Sequence, residues 1–348
     1  MKNSMFHSKR FWIGLSFFGG LVLASFLFTW YGKDLYSQTQ VLIKGADGNV
    51  SQSAPFNPLV MPPFGSDRSG YNLFFKLIIG AKFTILFVFG ICFIQLLVGT
   101  LLGSLLAYTP DSLQKFIEKV CKVYFFVPTV VLVNLFMMPL MIQSEHTGFQ
   151  ESIVIKQFLI LCIVTLPNLI LYISQEINLF MKKEYITSAI VLGARKFHLF
   201  RKHIWLSVKE ILVIVFLQQA VQLFTLLIYM GFFKVLIGGR KMVKDPFGGP
   251  PTAFSLTNEW SGLIGLNKNE LLTAPWIILA PLVAFAISIF VLNLMVQGIK
   301  ERLNTRFVPI PQKKQDSVVE EKKTTMSVGK FRFANMKPLY KGKDSSYE

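Results

Sequence analysis

Gln218, Gln222 and Thr225 are the residues of this chain whose types and spacing best suit contact with a moving polar solute. On a helix they stand at i, i+4 and i+7, so two amides and a hydroxyl share one face, with Gln219 beside them. Each offers a donor and an acceptor, and none offers a charge. The run around them, Ile211 to Phe233, is otherwise apolar. A polar side chain in such a run usually bonds a neighbouring helix, for about 0.6 kcal/mol on average, so packing and pathway lining both stay open for this stripe. For the isolated amides Gln95, Asn134, Asn168 and Asn293, packing is the expected role. Covalent and metal chemistry have no comparable constellation. Cys92, Cys121 and Cys162 show no paired spacing, and His7, His146, His198 and His203 form no ligand cluster, so no disulfide, metal site or cofactor is expected. No G-x-x-x-x-G-K-[ST] loop, nucleophile elbow or zincin motif occurs, so the chain is not expected to be an enzyme or to hydrolyse nucleotide itself.

The elements that must hold these residues are membrane helices. With 52% hydrophobic and 16% charged residues, the charges fall in islands that leave six uncharged, apolar windows: Phe11 to Gly32, Phe83 to Pro110, Val123 to Ser144, Gln157 to Gln175, Ile211 to Phe233 and Leu271 to Ile299. Each is long enough for a helix that crosses a bilayer, which takes roughly 20 residues. The uncharged stretch Gly48 to Ser66 is excluded, because Pro55, Pro58, Pro62 and Pro63 remove backbone donors and would strand carbonyls in lipid. The first window ends in Thr29, Trp30 and Tyr31 with no small-residue cleavage site, so it is expected to be a retained helix with an interfacial aromatic anchor. The fold expected is an all-α polytopic membrane protein of six transmembrane helices. Uncharged spans disfavour a proton- or ion-coupled carrier, which would keep an intramembrane carboxylate.

Six spans put both termini on one side. Of the 36 Lys and Arg, 25 fall on the face bearing the termini and the island 176–210, and 11 on the other. The positive-inside rule makes the first face cytoplasmic in a multi-pass cell-membrane protein. The expected order is a tail at 1–10, a first span at 11–32, an outward loop at 33–82, a core at 83–299 and a basic tail at 300–348. The core carries the cytoplasmic loop 176–210 and the outward loop 234–270. The tail lacks apolar periodicity after 308 and is expected to be disordered. The net charge of +17 follows from this topology and from contact with anionic lipid, so nucleic-acid binding is not expected. Proline and glycine in both outward loops, including Asp245 to Pro251, indicate ordered turns.

The cytoplasmic island holds the most informative segment, Glu184 to Leu206, EYITSAIVLGARKFHLFRKHIWL. Glu184 to Leu192 suits one short helix, broken at Gly193, with a second from Ala194 to Trp205. Ser188 and Ala189 are small enough to admit a close partner surface. The segment resembles the cytoplasmic "EAA" loop of dipeptide and oligopeptide ABC importer permeases, E-Y-V-E-A-A-x-x-L-G-A-S followed by H-I-L-P-N. Glu184, Tyr185, Ala189, Leu192, Gly193, Ala194, His203 and Ile204 match without a gap. Pro63 to Lys82, PFGSDRSGYNLFFKLIIGAK, is similar to that family's P-F-G-T-D-x-x-G-R-D block, and Leu272 to Arg306 is similar to its S-A-P-W segment and last helix. Thr187, Ser188, Trp205, Leu206, Tyr71 and Asn72 depart from the pattern. The resemblance implies a type I permease fold and a coupling loop that docks on an ATPase. It implies three kinds of partner, a second permease subunit, two ABC ATPase subunits and an extracytoplasmic substrate-binding protein, besides the membrane lipid expected from composition and charge. Peptides are the implied cargo, with nickel or metal chelates as the alternative and a non-transporting sensor or scaffold as the alternative of another class. Gly99 and Gly103 form a G-x-x-x-G spacing expected to serve contact within this subunit.

Overall fold

A computed structural model describes residues 8–32, 39–44, 49–147, 149–193, 205–243 and 252–307. Backbone groups in an apolar medium must be satisfied within their own segment, so the apolar runs become helices. In chain order these are α1 (Lys9–Tyr31), α2 (Leu73–Ala107), α3 (Asp111–Phe125), α4 (Thr129–Thr147), α5 (Glu151–Met181), α6 (Glu184–Val191), α7 (Trp205–Phe232), α8 (Trp260–Leu266) and α9 (Trp276–Phe307). Two antiparallel hairpins join them: β1 (Leu42–Lys44) with β2 (Val50–Ser53), and β3 (Arg240–Val243) with β4 (Thr252–Ser255). Among the described residues five helices are long and apolar enough to cross a membrane, and α3 with α4, bent by 74° at their junction, passes the same test as a pair, which makes six where the pair is one broken span rather than a re-entrant loop.

Of the boundaries that differ from the sequence reading, three bear on the packing. The window Val123 to Ser144 is not one helix. It breaks before Pro128, which has no N–H to extend α3 and disfavours helical geometry in Val127, and its carbonyl accepts from Val131 to begin α4. The second span starts at Leu73 rather than Phe83, with the Asn72 side chain accepting from Phe74 N at 2.9 Å. Lys76 and Lys82 therefore lie inside α2: Lys76 pairs with buried Asp67, and Lys82 donates to the neutral Thr29 Oγ1 at 2.7 Å. Trp205, expected to end a second cytoplasmic helix, opens α7 instead. Asp245 to Pro251, most of the expected second helix and the tail after 307 lie outside the described residues.

The core is aromatic at its centre. Phe18 of α1 meets Phe89 of α2 with ring centroids 5.2 Å apart, and Phe285 of α9 meets Phe224 of α7 at 5.9 Å and Trp260 of α8 at 5.5 Å. α2 packs along α5, and the G-x-x-x-G pair serves this contact within the chain. A Cβ on Gly99 would come within 2.9 Å of Leu169, and one on Gly103 within 2.9 Å of Ile170 O.

One end of the bundle is a densely joined cap. Asp67 accepts from Ser69 N and Tyr71 N besides pairing with Lys76, Arg68 pairs with Glu270, and Trp276 Nε1 donates to Ser66 O at 3.3 Å. α8, unforeseen in the outward loop, is sunk between α2, α7 and α9 because glycines let backbones meet. A Cβ on Gly231 would lie 2.6 Å from Ser261 O, and one on Gly80 would collide with Asn258 O. Trp260 donates from its backbone to Thr84 Oγ1 at 3.1 Å and from its indole to Leu77 O at 2.9 Å. Glu259 caps α8 by accepting from Ser261 N and Oγ, both at 2.7 Å, and from Ile237 N at 3.3 Å. Burial lifts its carboxyl from 4.5 to about 7, against the opposing pull of these hydrogen bonds. At the other end Arg10 and Glu301 join the start of α1 to the last turns of α9 at 2.6 Å.

Candidate functional site

Opposite the cap, α6 sits where α2, α5 and α7 converge. Its eight residues are too few to hold a helix by propensity alone, so tertiary contact must seat it. Ile186, 1% exposed, does this: it enters a cluster with Ala107 of α2, Ile173 and Ile177 of α5, and Leu212 and Val215 of α7, and Ala189 packs beside it. The opposite face is open. Tyr185 is half exposed, and Val191 and Leu192 are 82% and 87% exposed. Thr187 Oγ1 and Ser188 Oγ donate to Lys183 O and Glu184 O at 3.3 and 2.8 Å, which ties both hydroxyls to the helix's own backbone. Glu184 occupies the first turn, where a negative charge suits the helix dipole. Leu192 N donates to Ser188 O, and Gly193 follows with φ +89°, a left-handed conformation that favours glycine. Among the described residues nothing lies within 4 Å of a Cβ built on Gly193, so backbone strain is the constraint they place on that position. Ala194 and His203 lie outside the described residues.

A second feature opens where α5 and α7 face the α3–α4 elbow. A cavity of about 470 Å³ is lined by Tyr124, Thr129, Thr165, Asn168, Gln222 and Thr225 among others. An adjoining space of about 310 Å³ is lined by Asn168, Tyr172, Gln218, Gln219 and Gln222. Asn168, Gln219 and Gln222 border both, and the stripe of Gln218, Gln222 and Thr225 thus runs along two adjoining spaces. Thr225 Oγ1 donates to Val221 O at 2.9 Å, whereas the side chains of Asn168, Gln218 and Gln222 make no hydrogen bond to the described residues.

The other amides behave differently. Gln95 is buried and its Nε2 donates to Cys162 O at 3.1 Å and to Thr165 Oγ1, which crosses from α2 to α5. Asn134 bonds Val130 O at 2.9 Å within its own helix. Asn293 is exposed on α9 and borders neither opening. Sequence reasoning overlooked Ile186, whose signal was its i, i+3 spacing with Ala189 on a short amphipathic segment. It also assigned Asn168 to packing, since nothing in the sequence shows α5 turning that residue toward α7. Among the described residues no group of three His, Cys, Asp or Glu could hold a metal ion.

Comparison with known proteins adds two findings. A model of the family described as binding-protein-dependent transport system inner membrane component matches residues 99–308, a stretch that contains α6 and both openings. The oligopeptide transport system permease protein OppC of Haemophilus influenzae is similar at 22% identity over 247 residues, 70% of this chain and 70% of that protein.

Proposed function

The chain belongs to the family of binding-protein-dependent transport system inner membrane components, and from that membership we propose that it is one of two permease subunits in an ATP-driven importer of peptides. It is a membrane-spanning component of a transporter and not an enzyme. ATP hydrolysis belongs to two separate ABC ATPase subunits in this reading. The seating of α6 carries the proposal: one face is locked by Ile186 into three membrane helices while Tyr185, Val191 and Leu192 are left for a partner. A segment built this way transmits a push, because displacing its outer face must displace the ends of α2, α5 and α7. Glu184, Ser188, Ala189, Gly193, Ala194 and His203 are assigned to the same docking loop. The lysine and arginine distribution supports placing α6 and both termini in the cytoplasm. The cap then faces the substrate-binding protein, and ATPase closure rocks the helices to alternate access to a central path.

Peptides are the cargo this reading favours. The similarity to an oligopeptide permease supports it, and so does an opening edged by unbonded neutral amides, which match the alternating donors and acceptors of a peptide backbone. A second permease subunit closes this opening from the far side. The test is uptake of labelled short peptides by cells with and without the chain, together with co-purification of ATPase subunits. Peptide uptake lost with the chain supports the proposal. Unchanged uptake removes the cargo assignment, and failure to bring down ATPase subunits removes the coupling assignment.

A further inference from the structure

Lys82 is 9% exposed, yet its ammonium meets no carboxylate among the described residues. Its Nζ donates to Thr29 Oγ1 at 2.7 Å and lies 5.2 Å from the ring centroids of Phe26 and Phe83. An ammonium has three N–H donors, so two are left for another acceptor, and a half-sheltered cation without a counter-charge is costly.

Lys82 stands at the end of an apolar groove between α1 and α2. The α1 wall runs from Leu15 through Phe18, Val22 and Phe26, and the α2 wall from Phe89 to Ile85 and Leu86, with Lys82 the next residue along the same face. Its volume is about 670 Å³, and its floor is opened by Gly19, where an added Cβ would meet nothing within 4 Å. From Leu15 to Leu27 the groove is roughly 18 Å long at 1.5 Å per residue, close to one leaflet's share of a ~30 Å hydrocarbon core. Trp30 and Tyr31, 80% and 79% exposed, follow Thr29 directly and mark the level at which aromatic side chains meet headgroups.

We propose that this groove binds one anionic phospholipid, its acyl chain laid between α1 and α2 and its phosphate held by Lys82 Nζ. An acyl chain is the occupant that fits an apolar channel of one-leaflet length. A phosphate supplies the missing counter-charge at the height of the interface and forms the strong, charge-assisted kind of hydrogen bond. A zwitterionic headgroup fits less well, because it brings its own ammonium beside the lysine. The bound lipid would fasten α1 to α2 without entering the opening between α5 and α7, so the inference stands independently of the cargo.

The test is native mass spectrometry of the full chain, alone and assembled with its partner subunits, titrated with phosphatidylglycerol and separately with phosphatidylcholine. One tightly retained phosphatidylglycerol per chain is expected, preferred over phosphatidylcholine by roughly fivefold, the factor set by one lysine near an anionic lipid surface. Lys82→Arg keeps the preference and Lys82→Gln removes it. Gly19→Leu, which fills the floor away from the lysine, lowers retention of both lipids and decides the matter should Lys82→Gln fail to fold. Equal retention of the two lipids by the unsubstituted chain, an unchanged preference in Lys82→Gln, or wild-type retention in Gly19→Leu overturns the proposal. So does loss of the bound lipid on assembly, which would show that a partner helix occupies the groove.

Discussion

Replacing Ile186 by alanine should separate ATP hydrolysis from transport. The side chain is 1% exposed, and the substitution removes three buried carbons at about 0.8 kcal/mol each, or about 2.5 kcal/mol before any cavity forms. Cavity formation carries such replacements to about 2–5 kcal/mol. α6 has eight residues and no stability of its own to offset that loss, so the docked population should fall relative to the undocked by roughly fiftyfold or more. Tyr185, Val191 and Leu192 are untouched, so ATPase subunits should still bind. The assay is substrate accumulated per ATP hydrolysed in proteoliposomes holding the complete transporter. We expect hydrolysis to persist while accumulation falls about tenfold or more, a smaller factor than the docking shift because the assembled ATPase also holds α6 in place. Leu192→Ala, at an 87% exposed position, should do the reverse and weaken ATPase co-purification. Wild-type stoichiometry in Ile186→Ala would refute the transmission argument, since the push would then travel by another route.

Three further outcomes follow from the same structure. Glu259, fully buried, has a folded pKa of about 7 against 4.5 as the ordinary value. Between those values the folded state holds a proton that the unfolded state has lost, so stability falls by about 3 kcal/mol as pH rises through that window and is level above it. Thermal unfolding in detergent from pH 5 to 8.5 should show this fall, Glu259→Gln should flatten it, and identical profiles would remove Glu259 as its source. Asp67→Asn should destabilise the chain by about 3–5 kcal/mol by leaving Lys76 buried and unpaired, and adding Lys76→Met should recover part of that loss; a double variant no more stable than Asp67→Asn speaks against the ion pair. Gln222→Leu should reduce transport several-fold, at about 1 kcal/mol for one lost hydrogen bond to cargo, and leave the melting temperature unchanged. Gln95→Leu should do the opposite, and a shared phenotype would show that the two amides have one role.

Gln95 and Asn168 show where sequence legibility ends. Both are lone amides in apolar helices and nothing in their neighbours separates them. The difference is tertiary, since one reaches the α5 backbone and the other an opening. The stripe on α7 was legible because a helix's own period aligns Gln218, Gln222 and Thr225. Asn168 was not, because it joins them only through the packing of α5 on α7. Spans were legible as apolar runs, but their ends were misjudged wherever a charge was taken to stop a helix. Lys76 continues α2 because Asp67 neutralises it, and Lys82 because Thr29 and two rings accommodate it. The matching blocks at Pro63 to Lys82 and Leu272 to Arg306 have a physical meaning that was invisible in one dimension. Phe64, Leu73, Ala274, Trp276 and Ile277 pack together, so the two blocks form one cap. α8 gave no signal because its burial rests on close backbone approach at Gly80 and Gly231 of other helices as well as at its own Gly265, a match that seven residues read alone do not show.

The two ends of the bundle are built to different stiffness, and that asymmetry bears on mechanism. At the cap, two ion pairs, a buried carboxylate and backbone contacts across Gly80 and Gly231 tie α2, α7, α8 and α9 into one body. At the other end, among the described side chains, α6 is held by one large side chain and an alanine, and its Thr187 and Ser188 hydroxyls bond the backbone of their own segment. Local opening starts where buried contacts are fewest. A helix bundle clamped at one end and lightly pinned at the other pivots about the clamp, so a displacement applied at α6 is converted into rocking along α5 and α7. The opening that borders Asn168, Gln218 and Gln222 lies between those two helices, partway from pin to clamp, where the pivot changes its width most usefully. Joining α6 to α5 by a disulfide in the Ile186→Ala chain should therefore restore accumulation per ATP hydrolysed without disturbing the cap. No recovery in such a cross-linked chain would place the moving element elsewhere.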